Sequence, residues 1–112
     1  MTKCPVFHMK LEQLSMSLDK LVPLGLIINE IITNSIKYAF REQKNNSIDI
    51  NLERKDNEVQ LTISDNGVGL EIDSVQKNSL GMRLIEGLVN QLEGSLEVFN
   101  RDGTLYRILF PI

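Results

Sequence analysis

The sequence has 112 residues, a length at which one hydrophobic core is the norm, so we expect residues 1–112 to form one domain. Its 12 basic and 15 acidic side chains give a formal net charge of −3, which disfavours nucleic acid or an anionic membrane as the main partner. The single cysteine, Cys4, cannot form an internal disulfide, and Asn29 and Glu30 interrupt the longest apolar run before it reaches membrane-spanning length.

The N-terminal part of the chain predicts a strand followed by a helix. Val6–Leu11 alternates apolar and polar side chains, which is typical of a half-buried strand and puts His8 on its polar side. Because no carboxylate stands beside it in this pattern, His8 is interpreted as an ordinary exposed histidine. A second extended piece runs to Leu18, after which Asp19 is predicted to be the helix N-cap, with Pro23 tolerated in the first turn.

Leu24–Phe40 is predicted to be a long helix, because it contains no proline and its apolar residues recur at spacings of three and four. At about 100° per residue, four polar side chains fall within a sector roughly 60° wide. They are Glu30, Asn34, Lys37 and Arg41, and the other side carries Ile28, Ile31, Ile32, Ser35 and Ala39. These four polar side chains form either a stripe that faces water or a functional site that contains an acid, an amide and a base.

A β-hairpin is predicted after a polar loop over residues 41–47. Ile48–Glu53 and Val59–Ile63 both alternate apolar and polar side chains, and Lys55–Asn57 has the composition of a turn between them.

The second hairpin strand runs into a tight glycine turn at Asp65–Gly69. Residues 70–79 are polar and aperiodic, which is typical of a mobile lid. Ser79–Leu92 is predicted to be the second helix, and Gly94 its left-handed cap. The predicted apolar stripe of this helix consists of Leu84, Leu88 and Leu92, with Ile85 and Val89 beside it.

The C-terminal residues predict one more hairpin, with strands at Ser95–Phe99 and Thr104–Phe110 and a turn at Asn100–Gly103. Hairpins give antiparallel pairs, and two helices must cover one face of the resulting sheet. The predicted fold class is therefore α+β, a two-layer α/β sandwich with helices packed on one face of a mixed, mainly antiparallel sheet.

Four short motifs follow one another along the chain: Asn29–Tyr38, Asp65–Gly69, Ser79–Leu84 and Gly103–Thr104. Each alone has a structural explanation, such as a positive φ in a turn or a helix cap. Together, in this order and spacing, they resemble the N box, the two glycine boxes and the terminal Gly-Thr of the GHKL superfamily, which includes gyrase, the ninety-kilodalton heat-shock chaperones, histidine kinases and MutL. The resemblance covers residues 18–112 and implies the Bergerat ATP-binding fold. The N box is most similar to that of sensor histidine kinases.

The resemblance implies a role for each matched residue. Asn34 would bind Mg²⁺ through its side-chain oxygen, and Lys37 would contact the phosphates with Tyr38 beside the nucleotide. Glu30 would act as general base, and Asp65 would accept a hydrogen bond from the adenine amino group. Further nucleotide contacts implied by the family are Gly67, Gly69, Gly81, Met82 and Thr104.

By this resemblance the chain is expected to be the ATP- and Mg²⁺-dependent catalytic domain of a two-component sensor histidine kinase. It would transfer the γ-phosphoryl group to a histidine on a separate domain of the same or a partner chain, with a response regulator downstream. His8 does not match that histidine, since it is predicted on a strand, so we expect a piece of a longer protein. The second glycine box also departs from many relatives in having one glycine, Gly81.

Other functions remain open at this point. A serine kinase of the anti-sigma-factor type has the same N-box acid and amide, and a nucleotide-binding module without phosphoryl transfer would need fewer of the matched residues. A gyrase-like clamp is disfavoured because no transducer domain follows Ile112. With no signal peptide at its start, the protein is expected to be cytoplasmic, without nucleic acid as a partner and without direct membrane contact from this segment.

Overall fold

The computed structural model describes residues 5–39, 46–67, 80–100 and 102–112, with side chains over the same ranges except at residues 38 and 39. The elements in chain order are β1 (Val6–Leu11), α1 (Leu18–Asn34) continued by a π-helical segment (Ser35–Ala39), β2 (Ser47–Lys55), β3 (Glu58–Asp65), α2 (Leu80–Gln91), β4 (Ser95–Asn100) and β5 (Thr104–Pro111). None of the helices within these ranges is long and apolar enough to cross a membrane.

The five strands form one sheet in the order β1-β2-β3-β5-β4. β1 pairs with β2 in parallel, and the other three pairings are antiparallel. The predicted fold class, helices with a mixed and mainly antiparallel sheet, is confirmed. The sheet brings the end of β3 next to the start of β5, because Ser64 is paired with Leu105.

One hydrophobic core lies between the helices and the sheet. Strand residues enter it at every second position and helix residues at spacings of three and four, as the two periodicities require. Its buried members are Leu24, Ile27 and Ile31 of α1, Ile85, Leu88 and Val89 of α2, Leu92, and Ile48, Ile50, Val59, Leu61, Ile63, Tyr106, Ile108 and Phe110 of the sheet. Lys20 ties the first turn of α1 to the sheet, because its ammonium group donates to the carbonyl of Pro111.

Two predictions for the N-terminal part were wrong. β1 has the predicted bounds, but it lies at the sheet edge and all six of its residues are exposed, so it is not half-buried. The helix begins earlier than predicted: its N-cap is Ser17, not Asp19, and the Ser17 carbonyl accepts from the N–H groups of Lys20 and Leu21 at 3.0 Å. Pro23 consequently lies inside α1 and beyond its first turn.

The second helix also differs from its prediction in two details. Leu84 is 48% exposed, and Ile85 takes its place in the buried stripe. The left-handed residue after α2 is Glu93, with φ 57°, and not Gly94. Glycine at position 94 instead allows the backbone to pass close to β5, because a Cβ placed on Gly94 would lie 2.5 Å from the carbonyl oxygen of Leu109.

Gly94→Ala is therefore expected to destabilise the fold by about 1–3 kcal/mol, since the added methyl group overlaps backbone that cannot move freely. Gly25→Ala is the matched control, because Gly25 lies in a helix and no other residue that the structure describes comes within 4 Å of its Cβ position. That control should raise the free energy of unfolding by about 0.5–1 kcal/mol. Urea titrations of the two variants check this, and equal stability in both would contradict the close approach.

Candidate functional site

Asp65, the last residue of β3, is the buried acid of the candidate site, with 8% of its surface exposed. Its Oδ1 accepts hydrogen bonds from the backbone N–H groups of Gly67 and Thr104, both at 3.1 Å. Its Oδ2 accepts the hydroxyl of Ser35 at 2.8 Å. Three separate parts of the chain, the π segment, the turn after β3 and the start of β5, therefore meet at one carboxyl group.

The start of β5 can approach Asp65 this closely because the preceding residue is a glycine. Gly103 has φ +124°, which side chains rarely allow, and a Cβ on it would lie 1.9 Å from the Asp65 carbonyl oxygen. Thr104 follows with 2% of its surface exposed. Both residues of the predicted Gly-Thr motif, Gly103 and Thr104, therefore contact Asp65 directly.

The sheet beneath Asp65 carries a second polar group, the phenol of Tyr106. Burial, and then the negative charge of Asp65, raise the pKa of Tyr106 above its ordinary value. The phenol therefore stays neutral over the physiological pH range and adds no charge beside the carboxyl group.

Glu30 and Asn34 lie one helical turn apart on α1 and face the beginning of α2. A Cβ placed on Gly81, the second residue of α2, would lie 2.7 Å from Glu30 Oε1 and 3.2 Å from Asn34 Oδ1. Glycine at this position therefore lets the side chains of Glu30 and Asn34 both lie against the first turn of α2. Asn34 is 8% exposed, and Glu30 is half-buried.

The two halves of the site are joined at the point where α1 changes into the π segment. Asn34, the last α-helical residue, faces Gly81, and Ser35, the first π residue, binds Asp65. The N–H of Ser35 is shared between the carbonyls of Ile31 and Ile32, an arrangement that is common at the end of an α-helix. The neighbouring residues Asn34 and Ser35 therefore connect the Glu30–Asn34 pair, which faces α2, with the carboxyl group of Asp65 at the end of β3.

Other predicted site residues are only partly described. Lys37 is exposed in the π segment, and Met82 is half-buried against the core. The backbone of Tyr38 belongs to the π segment, but its side chain lies outside the described residues. Gly69, the predicted lid over residues 70–79, and Arg41 also lie outside them.

Two contributors were missed from the sequence. Ser35 was assigned to the apolar side of the helix, and the one available signal was a hydroxyl on that otherwise apolar face. Asn66 lies beside Asp65, and its Oδ1 accepts from the N–H of Ser47 at 2.8 Å, which fixes the turn after β3 to β2.

The oxygens of Asn34 and Glu30 are hard ligands of the kind that Mg²⁺ accepts, usually together with water and phosphate oxygens. Within the described residues, no group of three His, Cys, Asp or Glu side chains could hold a metal ion without other ligands. The residues present therefore fit a magnesium ion shared with a phosphate ligand, and they do not form an all-protein metal cage.

Comparisons with known proteins give the family and the fold of the chain. Residues 19–112 match the family described as histidine kinase-, DNA gyrase B-, and HSP90-like ATPase. The anti-sigma F factor of Oceanobacillus iheyensis is 26% identical over 93 residues, covering 72% of this chain and 64% of that protein. The sensor protein LytS of Staphylococcus epidermidis is 38% identical over 58 residues, covering 51% of this chain and 10% of that protein. The chain thus spans less than two thirds of these two relatives.

Solved structures with a similar fold include two histidine kinases. The histidine kinase domain of the blue-light activated histidine kinase of Erythrobacter litoralis EL346 has a TM-score of 0.86 at 22% identity, covering 95% of this chain and 51% of that one. The histidine kinase AdeS of Acinetobacter baumannii has a TM-score of 0.79 at 18% identity, covering 95% of this chain and 53% of that one. At these identities the likeness shows a shared fold.

Proposed function

Because this chain belongs to the family of histidine kinase-, DNA gyrase B- and HSP90-like ATPases, we propose that it is the Mg·ATP-binding catalytic domain of a two-component sensor histidine kinase. The observation that carries the proposal is that Asn34, which with Glu30 faces the start of α2, is followed directly by Ser35, which binds the buried Asp65. One end suits a base with an amino group, and the other suits a triphosphate.

The adenine end of the proposed site is Asp65. A carboxylate accepts hydrogen bonds and donates none, so it pairs with the amino group of adenine but opposes the carbonyl group that guanine has at the same position. Gly67 and Thr104 hold the acceptor in place through their N–H groups. Gly69 and Tyr38 are proposed to complete the walls of this pocket.

The triphosphate end is the first turn of α2 with the side chains that face it. The positive end of the dipole of this 12-residue helix favours a phosphate near Gly81 and Met82. Asn34 would hold Mg²⁺, which supplies charge neutralisation on the phosphate oxygens. Lys37, an exposed cation three residues further on, can reach the same phosphates.

Glu30 is the proposed general base. In the transfer step a nitrogen of the acceptor imidazole attacks the γ-phosphorus, the bond from the γ-phosphorus to the bridging oxygen breaks, and ADP leaves. The imidazole gives up one proton, and the Glu30 carboxylate is placed to orient the ring and accept it. The acceptor histidine belongs to a separate dimerisation domain of the same or a partner chain, and a response regulator would receive the phosphoryl group next.

A serine kinase of the anti-sigma-factor type is the second candidate, and the match to an anti-sigma F factor over 72% of this chain favours it specifically. It would use the same residues with a serine hydroxyl as the nucleophile. Support for the histidine kinase comes from the 38% identity to a sensor protein over 58 residues.

The chemistry of the product separates the two candidates. The parent protein is expected to incorporate label from γ-labelled ATP into a bond that acid hydrolyses and alkali leaves intact, as a phosphoramidate does. Asn34→Ala is expected to abolish the incorporation. A label that survives acid and is lost in alkali would identify the serine kinase. Binding of ATP with no label transferred to the parent protein or to any protein added from the same cells would identify a nucleotide-binding module.

Gly81→Ala tests the triphosphate end. The added methyl group displaces Glu30 Oε1 and Asn34 Oδ1, so the affinity for Mg·ATP is expected to fall at least about tenfold, which corresponds to roughly 1.4 kcal/mol. The free energy of unfolding should change little, because the displaced atoms are the ends of flexible side chains. Gly87→Ala on the same helix is the control, since no other described part of the chain lies within 4 Å of its Cβ position. Calorimetric titration measures both variants, and an unchanged affinity in Gly81→Ala would contradict this assignment.

A further inference from the structure

Ser35 places a hydroxyl group where a helix normally presents an apolar side chain. It follows Ile31 by four residues, so the two share a face of the helix, and Ile31 is fully buried in the core. Ser35 itself is 3% exposed, and its Oγ donates to Asp65 Oδ2 at 2.8 Å. A hydroxyl buried at this position without a partner would destabilise the fold, so its bond to Asp65 determines the orientation of both groups.

Counting acceptor positions on Asp65 shows what this bond leaves available. Each carboxylate oxygen accepts about two hydrogen bonds. The two positions on Oδ1 are taken by the N–H groups of Gly67 and Thr104, and one position on Oδ2 is taken by Ser35. Among the described residues no further donor occupies Oδ2, so one position on it is left for a donor from a ligand.

We propose that Ser35 is a positioning residue that determines base specificity: its hydroxyl holds the Asp65 carboxylate in the rotation at which Oδ2 presents one acceptor position to the amino group of adenine. This inference rests on the proposed function and adds the residue that makes Asp65 selective. The backbone donors fix Oδ1, while Ser35 fixes Oδ2 from the helix side. Without Ser35, Oδ2 loses the hydrogen bond that orients it, and water fills both of its acceptor positions.

The consequence is restricted to ligands that donate from the 6-position of the purine. Ser35→Ala is expected to weaken ATP binding by about 10- to 150-fold, the usual effect of losing one hydrogen bond to a charged group. Binding of purine riboside 5′-triphosphate, which has hydrogen at that position, should remain as in the wild-type protein. A residue with a merely structural role would weaken both ligands alike.

The experiment is a calorimetric titration of the 112-residue protein and its variants with both triphosphates in the presence of Mg²⁺. Thr33→Ala is the matched control, because it also removes a hydroxyl from α1, one that donates to the Asn29 carbonyl at 2.8 Å. That control should bind both ligands like the wild type. Ser35→Cys keeps a weaker donor of similar size, is expected to give an intermediate preference for ATP, and replaces Ser35→Ala if thermal melting shows that the alanine variant is unfolded.

The outcomes distinguish this inference from the proposed function. A wild-type preference for ATP that disappears in Ser35→Ala supports the role of Ser35. A preference that Ser35→Ala retains, or an equal weakening of both ligands, overturns the role of Ser35 alone. A wild-type protein that binds both triphosphates equally, or neither, overturns the role of Asp65 in the proposed function and this inference with it.

Discussion

The carboxyl group of Asp65 is the point on which the arrangement of the site depends. Burying a carboxylate is costly unless hydrogen bonds replace the water that it loses. Here the replacement comes from Ser35, Gly67 and Thr104, which belong to three elements distant in sequence. These hydrogen bonds offset the cost of burying the acid. They also fix the π segment, the turn after β3 and the start of β5 relative to one another. The neutral phenol of Tyr106 lies beneath without adding a second charge.

The change from α- to π-helix at residues 34 and 35 directs two neighbouring side chains to different parts of the candidate site. Asn34 is directed to the start of α2, and Ser35 to the end of the sheet. In a ligand of the length of ATP, the base and the phosphates must be held at separate places at once. Such an α-to-π change is a common feature of functional sites in helices. The proposed function uses both positions, one for the phosphates and one for the base.

The fold class and most element bounds were predictable, because alternation and helical spacing directly reflect which side of each element is buried. The same pattern brought Glu30 and Asn34 to one side of a helix, although only the contact with Gly81 shows what they face. Details that depend on partners far along the chain were not predictable. The helical spacing put Ser35 on the mainly apolar side of the helix. The neighbouring sequence does not show that Asp65, 30 residues further on, accepts its hydroxyl group. Gly94 was interpreted as a left-handed cap, whereas its lack of a side chain serves the approach of β5.

Calorimetric comparison of ATP with GTP is the most direct test of the proposed hydrogen bond from the amino group of adenine to the carboxylate of Asp65. The wild-type protein is expected to bind Mg·ATP and to bind Mg·GTP more weakly by about 2 kcal/mol or more, since the guanine carbonyl would face the carboxylate. Asp65→Asn should lose most of this preference, while Asp49→Asn, an exposed acid on β2, should keep it. Equal affinities for ATP and GTP in the wild-type protein would contradict the account.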